Sequence, residues 1–175
     1  LVFPADRFRM TAEAMVFVNA DYNTVDEDLS KAFTDAFKKE GFVFPARSGN
    51  GKFTIMKPFD EGVFLVDDKY QVFHVKRVDN KPWVLKTPVD PDLKTRHIKI
   101  SENKRKEYYG LLLSGEGVLH VLTYDDYRLI PLPMEHFDPD TMDFKLIVNP
   151  LYRTAVYSDN TTIYALAMDT DYHPI

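Results

Sequence analysis

The feature that most limits what this chain can fold into is a hairpin unit that its sequence contains three times. The clearest copy reads Leu111-Leu112-Leu113, Ser114-Gly115-Glu116-Gly117, then Val118-Leu119-His120-Val121-Leu122. Two apolar runs joined by a Gly-rich turn predict an antiparallel hairpin. An earlier copy runs Val63-Phe64-Leu65-Val66, Asp67-Asp68-Lys69, Val72-Phe73-His74-Val75. A later one runs Thr154-Ala155-Val156-Tyr157, Ser158-Asp159-Asn160, Ile163-Tyr164-Ala165-Leu166. Other markers recur around the hairpins. Phe53-Thr54-Ile55, Ile98-Lys99-Ile100 and Phe144-Lys145-Leu146 each open a unit, and Phe73, Leu119 and Tyr164 hold matching places in its second apolar run. Asp79, Asp126 and Asp171 mark the next turn, and Asp90-Pro91-Asp92 is echoed by Asp138-Pro139-Asp140. The spacing is about 45–48 residues, the length of a four-stranded propeller blade.

The fold class that follows is mainly β: three four-stranded repeats of about 45 residues with one N-terminal α-helix. The units are 52–96, 97–142 and 143–175, together a repeat β domain over 52–175. In the middle unit, strands are predicted at 98–101, 109–113, 118–123 and 127–132. Runs such as 111–113 and 118–122 are apolar without alternation, as strands buried on both faces are. A closed propeller has about four to eight blades. Three units therefore predict either an open stack or a propeller-like ring completed by missing sequence, the N-terminal segment or a second copy of the chain. Residues 1–51 form a strand–helix segment packed on the repeats. Its strand is predicted at 14–20, and Thr24-Val25-Asp26-Glu27 has capping-box spacing. Leu29, Ala32, Phe33, Ala36 and Phe37 then share a helical face, and Gly41 is a natural stop, so a helix is predicted over 24–39. Residues 45–51 read as a loop.

Composition narrows function by exclusion. The chain has 175 residues, 45% of them hydrophobic, and a net charge of −5. The acidic balance argues against a nucleic-acid partner or a generally anionic-membrane-binding surface, both of which need clustered Lys and Arg. The one basic run, Lys104-Arg105-Lys106, lies between Glu102 and Glu107 and reads as a solvated turn. With no cysteine there is no disulfide, thiolate zinc site or cysteine nucleophile. No apolar run reaches the roughly 18 residues of a membrane span. The chain opens on Leu1 rather than Met and stops in a strand-like segment, so it reads as a portion of a longer protein.

The chemistry-bearing residues give few leads. No catalytic residue is assigned: there is no nucleophile elbow, phosphate-binding loop or zincin motif. His74 and His120 appear at matching places, with Ala165 in the third unit, and read as packing histidines. Aspartates in the turns, such as Asp90, Asp92, Asp138 and Asp140, are good turn formers, and no metal or other cofactor is expected from them. Aromatic residues near turns supply the candidate ligand or partner surface: Trp83, Tyr108, Tyr124, Tyr127 and Tyr152. Tyr and Trp suit carbohydrate, peptide and protein contacts.

Four stretches carry a family likeness: Asp6-Arg7-Phe8-Arg9-Met10-Thr11, Met15-Val16-Phe17-Val18-Asn19-Ala20-Asp21, Lys57-Pro58-Phe59-Asp60-Glu61-Gly62 and Tyr108-Tyr109-Gly110. With them the chain resembles an uncharacterised family of envelope proteins from anaerobic gut bacteria, associated with ABC-transporter-type membrane proteins. The resemblance implies an extracytoplasmic or periplasmic domain of a longer chain, anchored to the membrane by segments outside this one. The expected function is non-enzymatic binding or sensing, accessory to a transporter. Its partner would be a protein, such as a transporter subunit, or a small ligand, and homo-oligomerisation is compatible with this reading. The alternative is a carbohydrate-active hydrolase or lyase whose loop carboxylates serve as acid and base.

Overall fold

A computed structural model describes residues 6–175. The described chain is mainly β, with one α-helix and four antiparallel sheets of three or four strands. The first sheet joins β1 (Asp6–Met10), β2 (Met15–Asn19) and β3 (Thr24–Asp26), and helix α1 (Glu27–Lys39) follows it. The second holds β4 (Ser48–Gly51), β5 (Val63–Val66), β6 (Val72–Val78) and β7 (Lys81–Lys86). The third holds β8 (His97–Ile100), β9 (Gly110–Leu113), β10 (Leu119–Leu122) and β11 (Leu129–Pro131). The fourth holds β12 (Asp143–Val148), β13 (Arg153–Ser158) and β14 (Ile163–Met168). Within every sheet the strands lie side by side in chain order.

Three apolar clusters bind these layers in sequence. Helix α1 and β2 bring Leu29, Phe33, Phe37, Met15 and Phe17 against Val63, Leu65, Phe73 and Val75 on one face of the second sheet. The opposite face of that sheet, with Phe64, Val66 and Val72, meets Ile98, Ile100, Leu112 and Leu122 of the third. The far face of the third sheet sets Leu111, Leu119 and Val121 against Ala155 and Met168 of the fourth. The two central sheets are thus covered on both faces, which is why β5 and β10 are buried at every position and, His120 apart, apolar. In the fourth sheet, β12 and β14 alternate exposed with more buried positions, as strands with one covered face do.

The helix begins later than its capping-box spacing suggests. Residues 24–26 form a strand, and Asp26 rather than Thr24 caps α1, its carboxylate accepting the Leu29 N–H at 2.9 Å. Asp competes well for this role because its short carboxylate reaches the orphan amides of the first turn. Asp26→Ala is expected to lower stability by about 1 kcal/mol, read as a shift in the urea midpoint with an unchanged slope. At the other end, Gly41 has φ +80° and continues the chain where a helix cannot.

Several sequence expectations change at this level. Phe53-Thr54-Ile55 is not a strand; β4 supplies the first strand of the second sheet from 48–51, which had read as a loop. Gly49 and Gly51 hide that strand, since they carry no side chains to reveal a β pattern. β1 also escaped recognition, because its mixed composition gives no clean alternation. The hairpin registers separate the repeat markers. The hairpins close with Val66 opposite Val72, Leu113 opposite Leu119 and Ser158 opposite Ile163. Phe73 and Tyr164 therefore correspond, but the residue matching them in the third sheet is His120, not Leu119. By the same count His74 matches Val121. The two histidines point to opposite sides of their sheets relative to the repeat, since one step in register reverses the face.

Candidate functional site

The densest polar cluster among the described residues lies at one end of the second and third sheets. Three connections meet there: residues 52–62 between β4 and β5, 101–109 between β8 and β9, and 123–128 between β10 and β11. The first connection delivers Lys57 and Glu61, the second Glu102 and Tyr109, the third Tyr124 and Tyr127. Strands β6 and β7 add His74, Lys76 and Trp83.

Gly62 makes the approach possible. It sits at φ +76°, and a Cβ there would lie 2.1 Å from the Val75 carbonyl. Only glycine lets the chain press Glu61 against β6 in this way. The Glu61 carbonyl then accepts the His74 Nε2–H at 2.5 Å, while its carboxylate pairs with Lys76 at 2.5 Å and accepts the Tyr124 hydroxyl at 3.2 Å. His74 is fully buried and stacks on Phe64 at 4.2 Å. With Nε2 donating to a carbonyl, Nδ1 accepts from the Tyr127 hydroxyl at 2.8 Å, which fixes the neutral tautomer. Burial pushes the His74 pKa down to about 4.

Beneath this network lies a buried ion pair. Glu102 Oε1 accepts from Lys57 Nζ at 2.9 Å and from the Glu61 N–H at 2.8 Å. Lys57 also donates to the Lys52 carbonyl at 2.7 Å and to Asp60 at 2.9 Å. Around both features the aromatic rings close ranks. Tyr109 lies 4.0 Å from Tyr124 and stacks on Tyr127 at 5.1 Å, and Trp83 stands edge-on to His74 at 5.3 Å. Burial first, then the Glu61 charge, raises the Tyr124 pKa; burial and the neighbouring Tyr109 raise that of Tyr127. Both phenols are held as hydrogen-bond donors.

The sequence-predicted surface divides. Trp83, Tyr124 and Tyr127 converge here, with Trp83 presenting the most open ring. Tyr108 faces the other side of the third sheet and is buried near Tyr172. Tyr152 is exposed on the turn between β12 and β13, apart from the cluster. His120 is buried on β10, its Nδ1 3.1 Å from the Val118 carbonyl. Sequence reasoning missed Lys57, Glu61 and Glu102. Glu61-Gly62 was the available signal, an acid beside a glycine directly before an apolar strand. Nothing pairs Glu102 with Lys57 in the sequence, because their contact depends on how two sheets stack. The turn aspartates serve local backbone: Asp90, Asp138 and Asp169 each accept the N–H two residues on, at 2.9–3.0 Å. Among the described residues no group of three or more His, Asp or Glu side chains could hold a metal ion.

The family described as a domain of unknown function (DUF4857) matches residues 1–168, nearly the whole chain. The chain belongs to this family. The DUF4857 match spans all four sheets, so the cluster around Glu61 and His74 lies within the family's domain. No curated protein and no solved structure matches the chain. Among the described residues of this DUF4857 domain, no helix is long and apolar enough to cross a membrane.

Proposed function

We propose that the protein is a non-enzymatic binding or sensing domain whose ligand surface is the aromatic cluster around Trp83, Tyr124 and Tyr127. The observation that carries this reading is the commitment of the titratable groups beneath the rings. Glu61 is matched by Lys76 and Tyr124, Glu102 by Lys57, and both His74 nitrogens are engaged. Groups so occupied are poor proton shuttles but make a rigid base for an aromatic recognition surface. In this reading the central sheets form an open, propeller-like stack of repeated units, and their loop ends carry recognition. The domain stands on the extracytoplasmic side of a bacterial membrane, part of a longer anchored chain that serves a transporter.

Trp83 is the chain's only tryptophan and is 39% exposed, so its emission reports directly on the surface. Titration with panels of oligosaccharides and of peptides is expected to identify a ligand that shifts this emission without being consumed. Tyr124→Ala is expected to weaken that ligand about tenfold, the effect of losing one aromatic interface contact. The second reading, a carbohydrate-active hydrolase or lyase, draws on the Glu102 carboxylate held against the Glu61 backbone and on Glu102 Oε2, which is buried without a hydrogen-bond partner among the described residues. Turnover of an oligosaccharide, lost in Glu61→Gln, would replace the binding reading with this one.

A further inference from the structure

The same end of the sheets carries a feature that the aromatic cluster does not use. The connection from β4 to β5 exposes Phe53, Ile55 and Met56 at 67%, 60% and 88%. The structurally corresponding connection from β12 to β13 exposes Leu151 at 69%, together with Tyr152. Between them, from β8 to β9, comes Lys104-Arg105-Lys106, all three exposed. Contacts hold these loops at one end. Lys106 Nζ lies 4.5 Å from the centre of the Phe59 ring, and Lys52 Nζ donates to the Ser101 carbonyl at 3.2 Å. On the other side, Tyr108 shares a buried cluster with Tyr172, over whose ring Arg153 lies at 5.6 Å. The chain's one basic run is therefore flanked by exposed apolar side chains on both neighbouring connections.

We infer that this end of the molecule docks directly on an anionic lipid surface, with Phe53, Ile55, Met56 and Leu151 entering the headgroup layer and Lys104, Arg105 and Lys106 meeting lipid phosphates. The chemistry distinguishes lipid from protein. The apolar groups stand exposed on connections between strands, and their rim is rich in lysine, which protein interfaces disfavour. Apolar tips ringed by flexible ammonium groups match an interface whose interior is hydrocarbon and whose surface is negative. Nearby carboxylates only partly offset that charge. Asp60 is held by Lys57 at 2.9 Å, Asp125 lies 3.7 Å from Arg128, and Glu107 approaches Arg105 only to 3.9 Å. A net charge of −5 excludes a protein that is basic all over, not one with a basic end.

Vesicle co-sedimentation tests this directly. The protein is expected to sediment with vesicles of phosphatidylcholine plus phosphatidylglycerol, and about tenfold less with phosphatidylcholine alone, since each surface cation contributes several-fold. Raising the salt should release it. Lys104→Glu with Arg105→Glu should abolish the preference for anionic vesicles, and Ile55→Ser with Met56→Ser should weaken binding to both kinds. Circular dichroism and the urea midpoint should stay unchanged in all these variants, whose altered side chains are exposed. Folded protein that ignores both vesicles would overturn the inference. So would variants that bind like the parent, or a concentration-dependent dimer that Met56→Ser disperses.

Discussion

Lys57→Met is expected to destabilise the protein by about 3–5 kcal/mol, the cost of leaving a buried charge without its partner. The Glu102 side chain is fully buried and that of Lys57 is 5% exposed. Water therefore cannot replace the ammonium when it is removed. Glu102 would retain only the Glu61 N–H as a donor, and its Oε2 has no hydrogen-bond partner among the described residues. The opposite truncation should be milder. In Glu102→Gln the lysine keeps the Asp60 carboxylate and the Lys52 carbonyl, and the new amide can still accept the Glu61 N–H. Its cost should be about 1–2 kcal/mol, that of weakened hydrogen bonds rather than a stranded ion. Combining Lys57→Met with Glu102→Leu should recover much of the loss, because a buried pair replaced by apolar groups is often neutral. Urea denaturation of the three variants distinguishes this account from one based on packing alone. If both single variants cost the same and the double variant costs their sum, the ion pair is not what joins the two connections.

How much of this was readable in advance depends on the range of the interaction involved. The helical face of Leu29, Phe33 and Phe37 was legible because its periodicity is local, and all three are buried. The hairpins of the second, third and fourth sheets were legible because two apolar runs and a turn occupy about a dozen consecutive residues. β4 was not, since two of its four residues are glycine and its place is set by pairing with β5. Register was the least legible. The eye aligns Leu119 with Phe73 because both are large and apolar, whereas the hairpin pairs place His120 there. A polar residue can occupy that place because the His120 ring finds the Val118 carbonyl. At the site, Trp83, Tyr124 and Tyr127 could be suspected from aromatic composition near turns. Lys57 and Glu102 could not, since a charge is recognised as buried only once the sheets that bury it are in place.

His74 is expected to make stability depend on pH between about 4 and 6.5, with the protein losing about 3 kcal/mol on acidification across that window. In the unfolded chain the imidazole takes up its proton near 6.5; in the folded protein, burial delays this to about 4. Between those values the unfolded state binds more protons, so stability rises with pH. The contribution is complete above 6.5, falls as pH drops, and is gone below 4, where both states are protonated. Aspartates lose their contributions lower on the scale. Asp159 is held below 3.8 by the Thr161 N–H, and Asp169 by the His173 N–H, so they act only beneath that value. His120, also shifted down by burial, overlaps the window, so the decisive quantity is the difference between parent and variant. His74→Gln keeps a donor and an acceptor but does not titrate, and should flatten the slope by the His74 share while lowering stability at pH 7. An unchanged slope, or a ring whose NMR signals titrate near 6.5 in the folded protein, would refute the assignment. The chemical reason for the penalty is specific. Protonated Nδ1 can no longer accept the Tyr127 hydroxyl at 2.8 Å, so charge at His74 forces apart the ring and the turn that close the junction between the central sheets.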